Sequence, residues 1–180
     1  MPSVFAASTW RLPDNGRGIN ALTRRQRRIV DGAERTSTVV AALVDTNILV
    51  YRFDPRFPDR QKISTEILRR GIAEDSIRVP HQAIMEFVAA VTKPLVGAMP
   101  LLLVQDAIRE AEEMLRQFTV LYPDEMLLRT ALRGAVAYQL SWFDAHLWAY
   151  AEHFGLSELL SEDFQHDRLY GTVRAVNPFL

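Results

Sequence analysis

A continuous apolar run, Val39-Val40-Ala41-Ala42-Leu43-Val44, ends directly at an aspartate, Asp45. Half of this run is β-branched, and an apolar segment without polar alternation is typical of a strand that is buried on both faces of a parallel sheet. A carboxylate at the end of such a strand is costly to desolvate without a partner. No basic residue stands within four positions of Asp45, so the local sequence offers no counter-ion.

Beyond this run the chain alternates between short apolar segments and stretches with helical periodicity. We predict further strands at Ile77-Arg78-Val79, Thr119-Val120-Leu121, Glu158–Leu160 and Thr172–Val176. The predicted helices are Ile48–Phe53, one capped by Asp59 and reaching Glu74, one opened by Pro80 and reaching Thr92, and then 104–118, 124–140 and 143–154. This alternation predicts a three-layer α/β/α domain around a mostly parallel central sheet. Trp142, Phe143 and Trp148 are expected in its core.

Three further carboxylates have apolar neighbours like those of Asp45. Glu86 stands inside Ala83-Ile84-Met85-Glu86-Phe87-Val88, Asp144 opens an apolar helix, and Asp163 follows the predicted strand Glu158–Leu160. Strand ends and the helix starts that follow them share one edge of a parallel sheet, which is where such folds bind ligands. We therefore expect the four side chains to converge there.

Carboxylates that gather without Lys or Arg repel one another, and a divalent cation is the usual reason for such a cluster. An all-oxygen ligand set in a chain without cysteine favours Mg²⁺ or Mn²⁺ over Zn²⁺. Asp45 and Asp144 are the first-choice ligands, followed by Asp163, while Glu86 could ligate or hold a metal-bound water. Simpler interpretations remain: Asp144 as a helix N-cap, Asp163 as a turn residue, and Glu86 on a solvated helix face.

Several motifs together resemble one known family, the PIN-domain nucleases. Val44-Asp45-Thr46-Asn47-Ile48-Leu49 resembles their opening strand motif, and Phe143-Asp144-Ala145-His146-Leu147-Trp148-Ala149 their third acidic motif. Leu160-Ser161-Glu162-Asp163, with Asn177-Pro178-Phe179 near the end of the chain, resembles their closing segment. Toxins of the VapC type share these motifs in this order, and the resemblance covers roughly residues 40–180.

The resemblance implies a magnesium- or manganese-dependent ribonuclease whose catalytic and metal-binding acids are Asp45, Glu86, Asp144 and Asp163. It also implies that Thr46 and Asn47 orient Asp45 and that Ser161 supplies a hydroxyl. In-line attack by water would leave 3′-hydroxyl and 5′-phosphate ends. The implied partners are an RNA substrate, a cognate antitoxin and a second copy of the chain in a homodimer. From their positions in the sequence, Arg52 and Lys93 are candidate phosphate contacts.

Two features depart from that family pattern. Asp167 stands where many relatives have glycine, and residues 1–38 have no counterpart in a typical small toxin. That segment holds seven arginines and three acidic residues, although the whole chain has a net charge of −1. We expect 1–38 to be a basic extension with little fixed structure, which could bind nucleic acid, followed by the nuclease domain at 39–180. The absence of cysteine and of an apolar stretch near ~20 residues predicts a cytoplasmic protein without a membrane span.

Three other functions remain open at this stage. The first is a phosphohydrolase with Asp45 as nucleophile, but the aspartate expected two residues later is Asn47. The second is a catalytically silent PIN-like module that binds RNA or a partner, which the four intact acids disfavour. The third is a related DNA nuclease, although the chain has no room for the helical insertions such enzymes usually carry.

Overall fold

A computed structural model describes residues 41–94 and 99–180. Six strands form one sheet in the order β3-β2-β1-β4-β6-β5, in which every neighbouring pair is parallel except β5 and β6. The strands are β1 Ala42–Val44, β2 Ile77–Pro80, β3 Thr119–Leu121, β4 Glu158–Leu160, β5 Leu169–Tyr170 and β6 Val173–Val176. The helices are α1 Thr46–Tyr51, α2 Pro58–Glu74, α3 His81–Thr92, α4 Val104–Gln117, α5 Glu125–Tyr138 and α6 Trp142–His153. The expected three-layer architecture with a mostly parallel sheet is confirmed.

The sheet is covered on both faces because its central strands carry apolar side chains in both directions. On one face, Leu43 of β1 and Leu159 of β4 join a buried cluster with α5 and α6 that includes Leu127, Leu147 and Trp148. On the other face, α1 packs against both α2 and α3. Within 41–94 and 99–180, no helix combines the length and apolar character that a membrane span requires.

Strand register places three chain segments at one edge of the sheet. Val44 at the end of β1 pairs with Leu160 at the end of β4, and Leu160 pairs with Val176 of β6. The backbone N–H of Asp45 donates to the carbonyl of Leu160 at 3.0 Å, and that of Ser161 donates to Val176 at 3.0 Å. Asp45 and Ser161 therefore leave adjacent strands side by side.

Several predicted boundaries were wrong for identifiable reasons. Phe57, not Asp59, is the N-cap of α2, because Pro58 takes the first helical position, where its missing N–H is not needed. Pro80 ends β2 and caps α3 rather than opening the helix. Strand β5 was missed because its two residues are too short to show a periodicity. The expectations for Val39 and for the extension at 1–38 lie outside the described residues.

The expected core positions of Trp142 and Phe143 are also wrong. Their side chains are 43% and 65% exposed, whereas Trp148 is buried as predicted. Trp142 and Phe143 begin α6, and the first turn of this helix extends beyond the core that its later turns form. An apolar stretch at a helix start thus marked an exposed surface rather than the interior.

Candidate active site

Asp45 occupies the turn between β1 and α1 and is the N-cap of α1. Its Oδ1 accepts a hydrogen bond from the backbone N–H of Thr46 at 2.5 Å. Its Oδ2 accepts hydrogen bonds from Ser161 Oγ at 2.5 Å and from Asn47 Nδ2 at 2.7 Å. The side chain is buried, with only 6% of its surface exposed. Three donors therefore hold a desolvated carboxylate in one orientation.

Burial is the main reason why the pKa of Asp45 rises from 3.8 to about 7. Hydrogen bonds from Ser161 and from the Thr46 backbone lower this pKa, whereas the negative charges of Asp163 and Glu86 raise it further. Among the described residues, no basic side chain lowers the pKa of Asp45. The ionised form of Asp45 is thus poorly compensated near neutral pH by the protein alone.

Asn47 and Ser161 connect Asp45 to Asp163. Asn47 Nδ2, which already donates to Asp45, lies 3.2 Å from Asp163 Oδ2. Ser161 Oγ accepts a hydrogen bond from the backbone N–H of Asp163 at 3.1 Å. The other amide atom, Asn47 Oδ1, is buried and has no hydrogen-bond partner in the described part of the chain. The amide thus separates two carboxylates and leaves one further oxygen without a donor.

Glu86 is held beside Asp45 by donors on two elements. Thr46 Oγ1 donates to Glu86 Oε2 at 2.7 Å, and Gln82 Nε2 donates to Oε1 at 2.8 Å. Gln82 Nε2 also reaches the carbonyl of Phe143 at 3.3 Å, and Gln82 Oε1 lies 2.6 Å from His146 Nδ1. Since Gln82 Oε1 can only accept, His146 carries a proton on Nδ1. Gln82 therefore links Glu86 to the start of α6.

Asp144 lies in the first turn of α6, as predicted, but it is not the N-cap. Ser141 is the N-cap: its Oγ accepts from the backbone N–H of Asp144 at 3.2 Å and lies 2.7 Å from Asp144 Oδ2. Among the described hydrogen bonds, none joins the Asp144 side chain to the other three acids. The structure thus links Asp45 to Asp163 through Asn47 and Ser161 and to Glu86 through Thr46, and it links the backbone before Asp144 to Glu86 through Gln82.

The two candidate phosphate contacts have different environments. Lys93 is the C-cap of α3 and is exposed. Arg52 is only 8% exposed, which is at odds with its predicted role in substrate binding. Burial lowers the pKa of the Arg52 guanidinium, the charge of Glu110 raises it, and the Arg52 carbonyl accepts a hydrogen bond from Gln61. Arg52 therefore serves the packing of α1 and offers little surface to a phosphate.

Sequence reasoning missed Gln82 and the cluster around Glu162. Gln82 stands four residues before Glu86, a spacing that puts both on one face of a helix, so this pair could have been found. Arg60 Nη1 forms an ion pair with Glu162, and both residues hydrogen bond to the Tyr51 hydroxyl. Because Glu162 adjoins Asp163, this cluster fixes the loop after β4 against α1 and α2.

Asp167, the departure from the family pattern, adopts a left-handed backbone conformation with φ of 61°. Glycine favours this conformation, and aspartate is among the few residues that tolerate it. The carboxylate of Asp167 forms an ion pair with Arg174 at 2.6 Å. Its negative charge is therefore neutralised locally by Arg174.

The donor chemistry of the cluster fits a hard divalent cation. Among the described residues, Asp45 is a buried carboxylate without a basic partner, Asp163 and Glu86 lie near it, and Asn47 Oδ1 is an acceptor without a donor. These are all oxygen ligands of the kind that Mg²⁺ and Mn²⁺ prefer. Within the described ranges, however, no three His, Asp or Glu side chains are close enough to hold an ion as they stand. In this arrangement hydrogen bonds occupy the carboxylates of Asp45 and Glu86.

The buried Asp45 and the more accessible Asp163 and Glu86 lie at the carboxyl edge of a parallel sheet, which is where such folds bind ligands. The PIN domain family matches residues 42–171, so the chain belongs to this family, whose members are nucleases.

Solved structures that are similar to this fold include the following two. The DNA-bound VapBC of Salmonella typhimurium has a TM-score of 0.55 and 12% identity, covering 76% of this chain and 96% of that one. A toxin–antitoxin complex from Klebsiella pneumoniae has a TM-score of 0.52 and 20% identity, covering 77% and 98%. At these identities the likeness establishes the fold. No curated protein sequence matches significantly.

The raised pKa of Asp45 predicts an unusual pH dependence of stability without divalent ions. The folded state binds the proton of the Asp45 carboxyl more tightly than the unfolded state does. Protonation of Asp45 therefore stabilises the fold fully below pH 3.8, and this stabilisation is lost as pH rises through about 7. Asp45→Asn cannot ionise. In EDTA, the wild type should lose stability between pH 4 and 7.5 relative to this variant. The unfolding free energy of the variant minus that of the wild type should therefore increase by on the order of 2–4 kcal/mol.

Denaturant melts at several pH values measure this difference. Asp167→Asn is the matched control: it removes an exposed carboxylate, and asparagine tolerates the left-handed conformation. Its difference from wild type provides the baseline over the same pH range. If the difference for Asp45→Asn does not rise relative to this baseline, Asp45 does not have a raised pKa.

Proposed function

We propose that this protein is a Mg²⁺- or Mn²⁺-dependent endoribonuclease and the toxin of a type II toxin–antitoxin pair. The observation that carries the proposal is Asp45, a buried carboxylate held by three donors and flanked by Asp163 and Glu86, with no compensating basic side chain in the described part of the chain. Membership of the PIN domain family supports the nuclease class.

Asp45, Asp163 and Glu86 would hold the cation, and Asp144 would join them from the start of α6. A bound divalent ion supplies positive charge at the scissile phosphate and makes a water molecule easier to deprotonate. Thr46, Asn47 and Ser161 keep the carboxylates in fixed orientations and are supporting residues. Attack by water in line with the leaving oxygen gives a 3′-hydroxyl and a 5′-phosphate.

The structural neighbours support a protein partner for this chain. The neighbour from Salmonella typhimurium is a VapBC structure and the one from Klebsiella pneumoniae is a toxin–antitoxin complex. By analogy, we propose that a cognate antitoxin inhibits this protein in the cytoplasm and that the chain forms a homodimer. Residues 1–38 we propose to be a basic extension that adds contacts to nucleic acid.

Cleavage should depend on both the metal and Asp45. With Mg²⁺ or Mn²⁺, the full-length protein should cut single-stranded or loop-containing RNA, and excess EDTA should abolish the activity. Asp45→Asn should lower the rate at least about 100-fold, the scale of losing one group that stabilises transition-state charge. End-group analysis of the products should give 5′-phosphates.

The matched control for this assay is again Asp167→Asn, which should cleave at the wild-type rate because Asp167 pairs with Arg174. Undiminished cleavage in EDTA, from protein free of other nucleases, would contradict the metal mechanism. Products ending in 2′,3′-cyclic phosphates would point to attack by the ribose hydroxyl instead. Equal cleavage of DNA with the same sequence would favour the DNA nuclease.

Metal binding should also be visible as stabilisation of the folded protein. Saturating Mn²⁺ should stabilise the wild type by on the order of 1–3 kcal/mol, since it binds the folded state preferentially. Asp144→Asn and Asp163→Asn should each lose most of this gain, whereas Asp167→Asn should retain it. Thermal melts with and without Mn²⁺ make the comparison, and an equal rise in Asp144→Asn would exclude Asp144 as a ligand.

A further inference from the structure

A groove of about 240 Å³ lies directly beside the acidic site, between the first half of α3 and the first half of α6. Three large apolar side chains line it while remaining exposed: Met85 at 61%, Trp142 at 43% and Phe143 at 65%. Glu86 lines the same groove and also receives the hydrogen bond of Thr46. The apolar walls therefore adjoin the carboxylate cluster.

A buried hydroxyl without a hydrogen bond also lines this groove. Tyr150 is fully buried, and its Oη has no hydrogen-bond partner in the described part of the chain. Burial raises the pKa of Tyr150 to about 12, so its hydroxyl is a proton donor at neutral pH. The backbone of Gln82 lowers this pKa. Buried hydroxyls usually have hydrogen-bond partners in folded proteins, so a group in the groove that accepts from Tyr150 Oη would complete this site.

The position of the groove limits what can occupy it. Phe143 directly precedes Asp144, and the Phe143 carbonyl accepts from the same Gln82 amide that donates to Glu86. A group in the groove is thus adjacent to Glu86 and to Asp144, two of the acids at which the phosphodiester would be cut. For a nuclease, the nearest part of the substrate at that place is a nucleotide flanking the scissile bond.

A nucleobase matches the chemistry of the groove. Its faces stack on aromatic and apolar side chains, and every base carries acceptor atoms on its edge. An aliphatic side chain would contact the walls but leave the Tyr150 hydroxyl without an acceptor. Resting on the ribonuclease proposed above, we infer that the groove binds one unstacked nucleobase of the RNA next to the scissile bond. The base accepts a hydrogen bond from Tyr150 Oη and contacts Met85, Trp142 and Phe143.

The first test is base preference in cleavage. Full-length protein is given RNAs with a randomised loop, and the cleaved ends are sequenced. The wild type should prefer particular bases at one position next to the cut. Tyr150→Phe, which removes only the hydroxyl, and Met85→Ala, which trims a wall, should each reduce that preference about tenfold. Met126→Ala, with a methionine on α5 that is 54% exposed, should leave it unchanged.

The second test measures binding without cleavage. In an Asp144→Asn background, short RNAs carry the fluorescent base 2-aminopurine at successive positions, in the presence of Mg²⁺. One position should show a fluorescence change on binding, and Tyr150→Phe and Met85→Ala should weaken the binding of that RNA about tenfold. Since Met85 is exposed, Met85→Ala should fold even if Tyr150→Phe disturbs the fold.

The outcomes separate the two proposals. Binding at one position without cleavage by the wild type would overturn the nuclease and keep the base site. Cleavage with a base profile that is identical in the wild type and both groove variants would overturn the base site alone. That same result would be expected if the groove accepts a side chain of a protein partner. Neither cleavage nor a fluorescence change at any position would overturn both.

Discussion

Among the residues that the structure describes, none compensates the charge of Asp45, and the arrangement of the site depends on this. The parallel register of β1, β4 and β6 delivers Asp45 and Ser161 to the same edge of the sheet. Burial there makes the ionised carboxylate unfavourable, and Asp163 and Glu86 add to that cost. Neutral donors orient Asp45 but do not cancel its charge. A divalent cation from solution would be the partner that residues 41–94 and 99–180 do not supply, as the proposed function requires.

Support for this carboxylate extends outward through hydrogen bonds. Thr46 links the start of α1 to Glu86, and Gln82 links Glu86 to the start of α6, where Asp144 and Phe143 lie. On the opposite side, Glu162 joins Arg60 and Tyr51, which fixes the loop that carries Asp163. Two helix starts and one strand end are therefore held around Asp45. The apolar groove opens between α3 and α6, beside this network.

The fold could be predicted from the sequence because apolar periodicity reports burial, and burial of β1 and α6 dictates the layers. Asp45 was identifiable for the same reason, as a charge directly after a buried strand. Helix caps and very short strands were harder to predict from the sequence. The cap at Phe57 and the two-residue strand β5 depend on single backbone conformations that no periodicity encodes.

Side-chain environments were the least predictable. The apolar character of Trp142 and Phe143 indicated burial, but whether a helix start faces the core depends on how α6 packs against the sheet and α5. Arg52 shows the converse, since a charged residue became buried through contacts distant in sequence. The helical spacing of Gln82 and Glu86 was visible in the sequence, but the contacts of Gln82 with Phe143 and His146 depend on how α3 and α6 pack.

The most direct measurement is the titration of the Asp45 carboxyl by ¹³C NMR, assigned by its disappearance in Asp45→Asn. In EDTA the carboxyl should titrate near pH 7, as its burial beside Asp163 and Glu86 requires. With saturating Mg²⁺ the midpoint should move down by at least about two pH units, because the cation favours the ionised form. A midpoint near 4 in EDTA, or one that Mg²⁺ leaves unchanged, would contradict the account.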